Sequence, residues 1–417
     1  MSMLKNKQAL NFIKNMFSLG MLQIINYILP ILTIPFLVST IGIGNVGVIA
    51  IATAFCTYFQ ICIDYGFNLT ATREIASIHN DTNSASAITS AVFNIKIILS
   101  IPLFFIFFAI VYLVPAYSSE IRVFVITYFI CVCQSMFPQW HFQATERMIY
   151  ITIANSIPKI LATILLFFII HSPTDTWKVQ TIYFFGTATS AIWAFIILKV
   201  KFKFNYRFDL VMIKKQVAHG WNIFTARFFS TLYKNSNVLI IGALCPPALV
   251  GGYAVAEKII RAAQTVQNVV GDSLFPWVVK QSGGDGKFFK IMNDRYKKII
   301  ITIYMFSAIF VFFFADFIAK ILVRHEWQIV GSQLKIMAFV FFFGGLNYFY
   351  GILGLVAHGF NKFFSRGVIA AGLFNVITCY LLVLKLSITG ASITMVLSEA
   401  LLLILIIVFI KKSGITK

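Results

Sequence analysis

The sequence predicts an all-α polytopic membrane protein with twelve transmembrane helices in two six-helix lobes, related by a pseudo-two-fold axis along the membrane normal. The 417 residues are 59% hydrophobic and only 12% charged, with a mean hydropathy of +0.87. This is too little charge to cover the surface of a soluble protein of this size. Long charge-free runs recur along the chain, and a similar glycine-rich turn occurs in each half.

The run from residue 15 to residue 63 contains no charged side chain. As a helix it would extend about 74 Å, more than twice the ~30 Å of a hydrocarbon core. The run must therefore fold back once, and STIGIGNVG at 39–47 is the expected turn. The same reasoning predicts twelve spans, at 14–38, 43–67, 88–113, 121–139, 151–171, 178–198, 217–244, 248–276, 298–322, 334–357, 366–386 and 388–410.

Lys and Arg are distributed unequally between the two sides of the predicted membrane. One side, counted with adjoining span ends such as Lys96 and Lys159, carries 24 of the 34 Lys and Arg; the other carries six, and four lie within spans. Since basic loops stay in the cytoplasm, both termini are expected there. The net charge of +20 then fits an anionic lipid surface rather than a nucleic acid.

A basic connection at 199–215 divides the chain into an N-terminal lobe, 1–198, and a C-terminal lobe, 216–417. IGIGNVGVIAIA (41–52) and IGALCPPALVGGYAVA (241–256) occupy corresponding positions in the two lobes. Transporters with such parallel repeats bind their substrate between the halves and expose it to each side in turn. Glycine-rich turns also recur in polytopic proteins without internal symmetry, so both explanations stay open.

Predicted spans seven and eight carry charges that lipid does not tolerate. Arg227 and Lys234 are seven residues apart and project from nearly the same face of span seven. Span eight carries Glu257, Lys258 and Arg261, so four cations accompany one acid. Because a charge at mid-bilayer costs at least ~2.5–3.5 kcal/mol, such residues usually face a partner or water.

Two interpretations of these charges remain. In the first, the four cations line a water-filled, cationic lumen that binds an anionic substrate. In the second, the lysines extend to the membrane interface and Glu257 pairs with Arg261 along the helix. The three acids Asp64, Glu257 and Glu399 are candidates for ion coupling or for charge pairing.

Three stretches resemble a known family when taken in order. They are IDYGFNLTATREIA (63–76), PQWHFQATERM (138–148) and LYKNSNVLIIGALCPPALVGGYAVAEKIIRA (232–262). The chain resembles polysaccharide-unit flippases of the O-antigen (Wzx) type, in the superfamily of multidrug, oligosaccharidyl-lipid and polysaccharide exporters that includes the MATE and lipid II flippases. It departs from the family pattern at His141, where an aromatic residue is more usual, and at Ala144, where glycine is common.

The resemblance implies a V-shaped, MATE-like transporter. Its substrate would be an undecaprenyl-pyrophosphate-linked oligosaccharide, moved from the cytoplasmic to the periplasmic leaflet of the bacterial inner membrane by alternating access. Arg73, in the first of the three stretches, becomes a candidate for a cytoplasmic gate. The expected partners are the substrate, the bilayer and other polysaccharide-assembly membrane proteins, with no nucleic acid and no cofactor.

The main alternative is a MATE-type, ion-coupled antiporter for drugs or metabolites, which would favour acidic side chains for binding cations. A lipid II flippase would carry additional spans. A membrane enzyme is not expected, because the exterior loops are short and no acidic metal-binding motif occurs. The six cysteines and six histidines are scattered, so the sequence predicts no metal site and no catalytic residues.

Overall fold

The structure is a computed structural model that describes residues 2–78, 81–282, 287–324 and 326–413; at some further positions, Lys234 among them, only the backbone is described. All regular elements in this part of the chain are helices, joined mostly by short turns. The α-helices are α1 Ser2–Ile41, α2 Ile43–Asp64, α3 Phe67–Ser77, α4 Thr82–Leu113, α5 Pro115–Ser118, α6 Ile121–Met136, α7 Gln139–Ala144, α8 Met148–Ile169, α9 Thr176–Lys201, α10 Leu210–Leu244, α11 Pro247–Ser282, α12 Lys287–Leu322, α13 Trp327–Asn347, α14 Asn361–Leu386 and α15 Ile388–Ser413.

Two further helical segments complete the chain: a 3₁₀ turn at Pro173–Asp175 and a π-helical segment at Tyr348–Val356, which continues α13. The predicted turn after the first span is confirmed, because α1 ends at Ile41 and α2 begins at Ile43. Gly42 between them has φ +86°, a left-handed conformation that glycine adopts without steric cost. Asp81 caps the N-terminus of α4 by accepting hydrogen bonds from the amides of Asn83 and Ser84.

Ten helical segments of the described chain are long and apolar enough to cross a membrane, so the protein is a multi-pass membrane protein. They are Gly20–Ile41, Ile43–Ser77, Thr82–Leu113, Ile121–Ala144, Met148–Ile169, Pro173–Lys201, Phe289–Leu322, Trp327–Val356, Asn361–Leu386 and Ile388–Lys412. The other two predicted spans fall on α10 and α11, which are 35 and 36 residues long. These two helices carry the intramembrane charges, and the purely apolar part of α10 is short, Asn235–Leu244. Twelve spans therefore stay a prediction.

The chain divides into two compact units. Unit 1 comprises Met1–Phe36 and Ala52–Phe228, and unit 2 comprises Leu37–Ile51 and Phe229–Lys417. In unit 1, α3, α7 and the N-terminal half of α4 pack around one apolar core; its fully buried residues include Phe67, Trp140 and Phe142. In unit 2, a second core forms where the π-helical segment meets α12, α14 and α15. The predicted lobes, 1–198 and 216–417, stay a prediction.

The two repeated turns contact each other inside unit 2. A Cβ atom added to Gly47 would lie 1.9 Å from the carbonyl oxygen of Pro247, and one added to Gly251 would lie 2.0 Å from the carbonyl oxygen of Ile43. Only glycine permits this approach, because any side chain at either position would overlap the facing backbone. The reciprocal contact joins the start of α2 to the start of α11.

This contact predicts that Gly47→Ala and Gly251→Ala each destabilise the protein by about 1–3 kcal/mol, since the backbones must separate to admit a methyl group. The measurement is the unfolding temperature and denaturant midpoint of the purified protein. Gly20→Ala in α1 is the matched control: a Cβ there meets nothing within 4 Å, so its stability should be unchanged or slightly higher. Equal unfolding curves for all three variants would show that the turns do not depend on this contact.

Candidate functional site

A buried ion pair in unit 1 joins Asp64, in the first family motif, to Lys96 on α4. The Lys96 ammonium on α4 donates to Asp64 Oδ1 at the end of α2 at 2.8 Å, and to the Ser135 carbonyl oxygen on α6 at 2.6 Å. It also lies 4.3 Å from the ring centre of Trp140, a cation–π contact. Lys96 is 0% exposed and Asp64 15%. Asp64 thus pairs with a lysine that the sequence analysis had placed at a span end.

The first two family motifs meet at this ion pair. Gly66, at φ +85°, turns the chain from α2 into α3 and brings Phe67 into the core that holds Trp140. The Thr72 hydroxyl donates to the Trp140 carbonyl oxygen at 3.2 Å. His141, where the family pattern has an aromatic residue, is buried and lies 3.0 Å from the Thr89 hydroxyl. The motifs are therefore one packed structure, with the histidine accommodated by a hydrogen bond.

The two predicted functional arginines of unit 1 are exposed. Arg73 projects from α3 and Arg227 from α10. Neither forms an ion pair with any residue that the structure describes. The positive charge of Arg227 acts electrostatically on Lys96. Arg227 thus remains an accessible cation, as the first interpretation of the charges requires.

In unit 2, the predicted helical pair between Glu257 and Arg261 is confirmed. Arg261 Nε and Nη2 lie 2.9 and 2.6 Å from Glu257 Oε1. Glu257 is buried, whereas the Arg261 side chain is 34% exposed. Glu399 on α15 also acts electrostatically on Arg261, and its Oε2 accepts a hydrogen bond from Asn347 Nδ2 at 2.6 Å. One carboxylate, Glu257, therefore pairs with this guanidinium, and a second, Glu399, adds to the negative field on it.

Lys258, the next residue after Glu257, differs from its neighbours. Residues 251–257 are all buried, but Lys258 is exposed. It lies about 16 Å along α11 from Pro247, near the middle depth of a membrane-length helix. No described carboxylate lies within ion-pair distance of its ammonium. The Lys234 side chain falls outside the part of the chain that the structure describes, so its predicted role stays a prediction.

A buried polar network, which the sequence analysis missed, joins α10 to α14 and α15. The Ser236 hydroxyl donates to Asn375 Oδ1 at 3.2 Å, and Asn375 Nδ2 donates to the Ser398 hydroxyl at 3.1 Å. Nearby, Asn237 Nδ2 donates to the hydroxyl of the fully buried Tyr253 at 3.1 Å. Asn and Ser within apolar helices were the available signal, because such groups need partners when buried.

Within the described ranges, no group of three or more His, Cys, Asp or Glu side chains is arranged to hold a metal ion. Among the described ionisable groups inside the helices, Asp64–Lys96 and Glu257–Arg261 form ion pairs, and Arg227 and Lys258 are exposed cations. Such an arrangement can attract an anion into an otherwise apolar helix bundle.

The Asp64–Lys96 pair predicts a specific pattern of stabilities. Lys96→Met leaves a carboxylate without a counter-charge and should destabilise the protein by about 3–5 kcal/mol. The double variant Asp64→Asn/Lys96→Met should lose much less than the sum of the two single variants, because no unpaired charge remains. Denaturant unfolding of the purified proteins measures the free energy of unfolding of the two single variants and the double variant.

Lys178→Met is the matched control for this cycle. Lys178 also pairs with an aspartate, Asp175, but its side chain is 41% exposed, so its removal should cost about 1 kcal/mol or less. Additive losses in the Asp64/Lys96 cycle would mean that the two charges do not stabilise each other.

Comparison with known proteins identifies the family. Residues 12–282, well over half of the chain, match the model of a family described as "Polysaccharide biosynthesis protein". A protein of Escherichia coli (strain K12) described as a "Putative O-antigen transporter" is 25% identical over 98% of this chain and 99% of its own length. A protein of Shigella dysenteriae with the same description is 24% identical over 95% and 100% of the two chains. The resemblance drawn from the three motifs is thus confirmed.

Two solved structures show the fold. An inward-facing MATE family transporter of the MOP superfamily superposes with a TM-score of 0.76, at 12% identity, covering 94% of this chain and 95% of its own. The lipid II flippase MurJ, in an inward closed conformation, superposes with a TM-score of 0.70, at 14% identity, covering 96% and 87%. The chain is therefore a multi-pass membrane protein with a MATE-like transporter fold, and it belongs to the polysaccharide biosynthesis protein family.

Proposed function

We propose that the protein is a flippase that moves an undecaprenyl-pyrophosphate-linked oligosaccharide, an O-antigen repeat unit, from the cytoplasmic to the periplasmic leaflet of the bacterial inner membrane. It would do so by alternating access and without enzymatic chemistry. Support comes from the family, from the end-to-end match to two proteins described as O-antigen transporters, and from a fold shared with a lipid II flippase.

One observation favours an anionic lipid-linked substrate: Lys258, about a third of the way along α11, is exposed although residues 251–257 before it are buried. A pyrophosphate loses much of its hydration when it enters an apolar environment, and a nearby cation lowers that cost. In the proposal Lys258, Arg227, Lys234 and the exposed part of Arg261 line the path of the head group. Arg73, exposed on α3, is proposed as part of a cytoplasmic gate.

The MATE-type antiporter remains the second candidate, because the fold alone allows it. Binding an organic cation requires an available carboxylate. The three candidate acids are each engaged: Asp64 with Lys96, Glu257 with Arg261, and Glu399 with Asn347. This engagement favours the flippase, and it makes charge pairing the proposed role of the three acids.

The proposal includes the finer points of topology. Twelve spans, with α10 and α11 crossing the membrane as well, would return the chain to its starting side, so that both termini lie in the cytoplasm. The lobes 1–198 and 216–417 would then alternate about the basic connection 199–215, with other polysaccharide-assembly proteins as partners at the membrane.

Loss of the accessible cations should reduce transport. In a strain deleted for its own sugar-unit exporter, Lys258→Ala and Arg227→Ala should each lower surface polymer about tenfold or more, because a charge-assisted contact contributes about 1.5–3 kcal/mol. Lys258→Arg should retain most activity, since the field rather than the geometry is proposed to matter. Polymer is quantified on the cell surface, and protein by immunoblot.

Lys201→Ala, which removes an exposed lysine at the end of α9, is the control and should export normally. Full export by the double variant Arg227→Ala/Lys258→Ala would exclude the cationic path.

Topology is tested with reporters placed after Lys412 and in the turn between α5 and α6. A fluorescent protein that folds only in the cytoplasm should be active at the first position, and a phosphatase that folds only in the periplasm at the second. Phosphatase activity at both positions would contradict an even number of spans with cytoplasmic termini.

A further inference from the structure

A second lysine of unit 1 lies inside a membrane span, and its surroundings differ from those of Lys96. Lys159 is near the middle of α8, about 16 Å from Met148 and about 15 Å from Ile169. Its ammonium donates to Asn26 Oδ1 on α1 at 2.6 Å. The sequence analysis had counted Lys159 with the cytoplasmic loops, but its position within Met148–Ile169 places it well inside the span.

The comparison with Lys96 shows what Lys159 lacks. Lys96 is fully buried and engages a carboxylate, a carbonyl oxygen and an aromatic ring. Lys159 is only partly buried, and the described contact of its ammonium is with one neutral amide. An ammonium has three N–H donors. Two N–H groups of the Lys159 ammonium therefore have no described partner, and no described carboxylate compensates its charge.

Further donors lie on the same face of α8. Asn155 is one helical turn before Lys159, at the i, i+4 spacing that makes two side chains neighbours, and it is partly buried. Ser156 is 5% exposed, and its hydroxyl has no hydrogen-bond partner in the described part of the chain. On α1, the Nδ2 group of Asn26 adds two N–H donors. The set combines one positive charge with several hydrogen-bond donors.

We propose that Lys159 and Asn26, with Asn155 and Ser156 beside them, form an oxyanion-binding site within unit 1. Asn26 Oδ1 holds the ammonium at the edge of the site, and the free N–H groups bind phosphoryl or carboxylate oxygens. The source of the oxyanion rests on the proposed function: it is the pyrophosphate of the lipid carrier or the carboxylate of an acidic sugar. Unit 1 then contributes its own anion contact, separate from Lys258 and Arg261 in unit 2.

The critical variant is Asn26→Asp. It places a carboxylate where the amide oxygen now contacts Lys159, so the lysine gains a permanent counter-charge and the folded protein loses nothing in packing. A purely structural contact predicts that this variant behaves like the wild type. An oxyanion site predicts that it folds normally but no longer binds anions, because the added carboxylate occupies the ammonium and repels the ligand.

Binding is measured with the full-length protein in phosphatidylcholine nanodiscs, using geranyl pyrophosphate and galacturonate as probes. Asn26→Asp and Lys159→Gln should weaken binding about tenfold or more, the effect of losing one charge-assisted contact. Lys159→Arg keeps the positive charge and should recover part of the binding that Lys159→Gln loses. The matched control Lys178→Gln removes a lysine outside the site, 41% exposed, and should bind the probes as the wild type does. Unfolding temperatures confirm that all four variants are folded.

Each outcome decides the question. The informative binding is the binding that Asn26→Asp weakens. If only geranyl pyrophosphate shows it, the lipid carrier is the source of the oxyanion, and if only galacturonate shows it, the source is an acidic sugar. If both show it, the site accepts either oxyanion. A folded Asn26→Asp protein that binds both probes as the wild type does, or a wild type that binds neither, overturns the proposal.

Export assays separate this proposal from the proposed function. If the wild type restores surface polymer and Asn26→Asp restores it equally, the site in unit 1 is wrong and the flippase function stands. If the wild type restores no polymer yet binds the probes in an Asn26-dependent way, the flippase function is wrong and the oxyanion site stands.

Discussion

The cost of placing a charge in hydrocarbon governs the organisation of this protein. Each charged group inside the helices must meet an opposite charge or remain in contact with water. Asp64–Lys96 and Glu257–Arg261 follow the first solution, and the proposed function assigns the second to the exposed Lys258 and Arg227. Because the described pairs are neutral, the exposed Lys258 and Arg227 are the groups that the proposed function assigns to the substrate.

In the proposed function, the positive charge of these groups connects a widely shared fold to one class of substrate. The transporters with the same fold include a multidrug MATE protein and the lipid II flippase, so the arrangement of helices does not specify the substrate. Here the candidate carboxylates are engaged by neighbouring side chains, while lysine and arginine remain accessible. In the proposed function, these groups disfavour organic cations and favour phosphoryl and carboxylate groups.

Two local contacts fix how neighbouring helices pack against each other. At one, Gly66 and the ion pair at Lys96 join the first two family motifs into a single core with Trp140. At the other, Gly47 and Gly251 allow the two repeated turns to approach at backbone distance. The motifs that resemble the family therefore combine buried packing positions, such as Phe67 and Trp140, with an exposed charged position, Lys258.

The sequence by itself determined the membrane class, the turn within 39–47 and the family, and it offered the Glu257–Arg261 pair as one of two interpretations, because hydropathy, glycine turns and i, i+4 spacing are local properties of the chain. It did not determine the partners of Lys96 and Lys159 or the network around Asn375. Those contacts join residues from helices far apart in sequence, and a lysine that appears to lie at a span end gives no local sign that it is buried. Only the tertiary structure decided that Lys96 meets a carboxylate while Lys159 meets an amide, since that depends on which helices pack together.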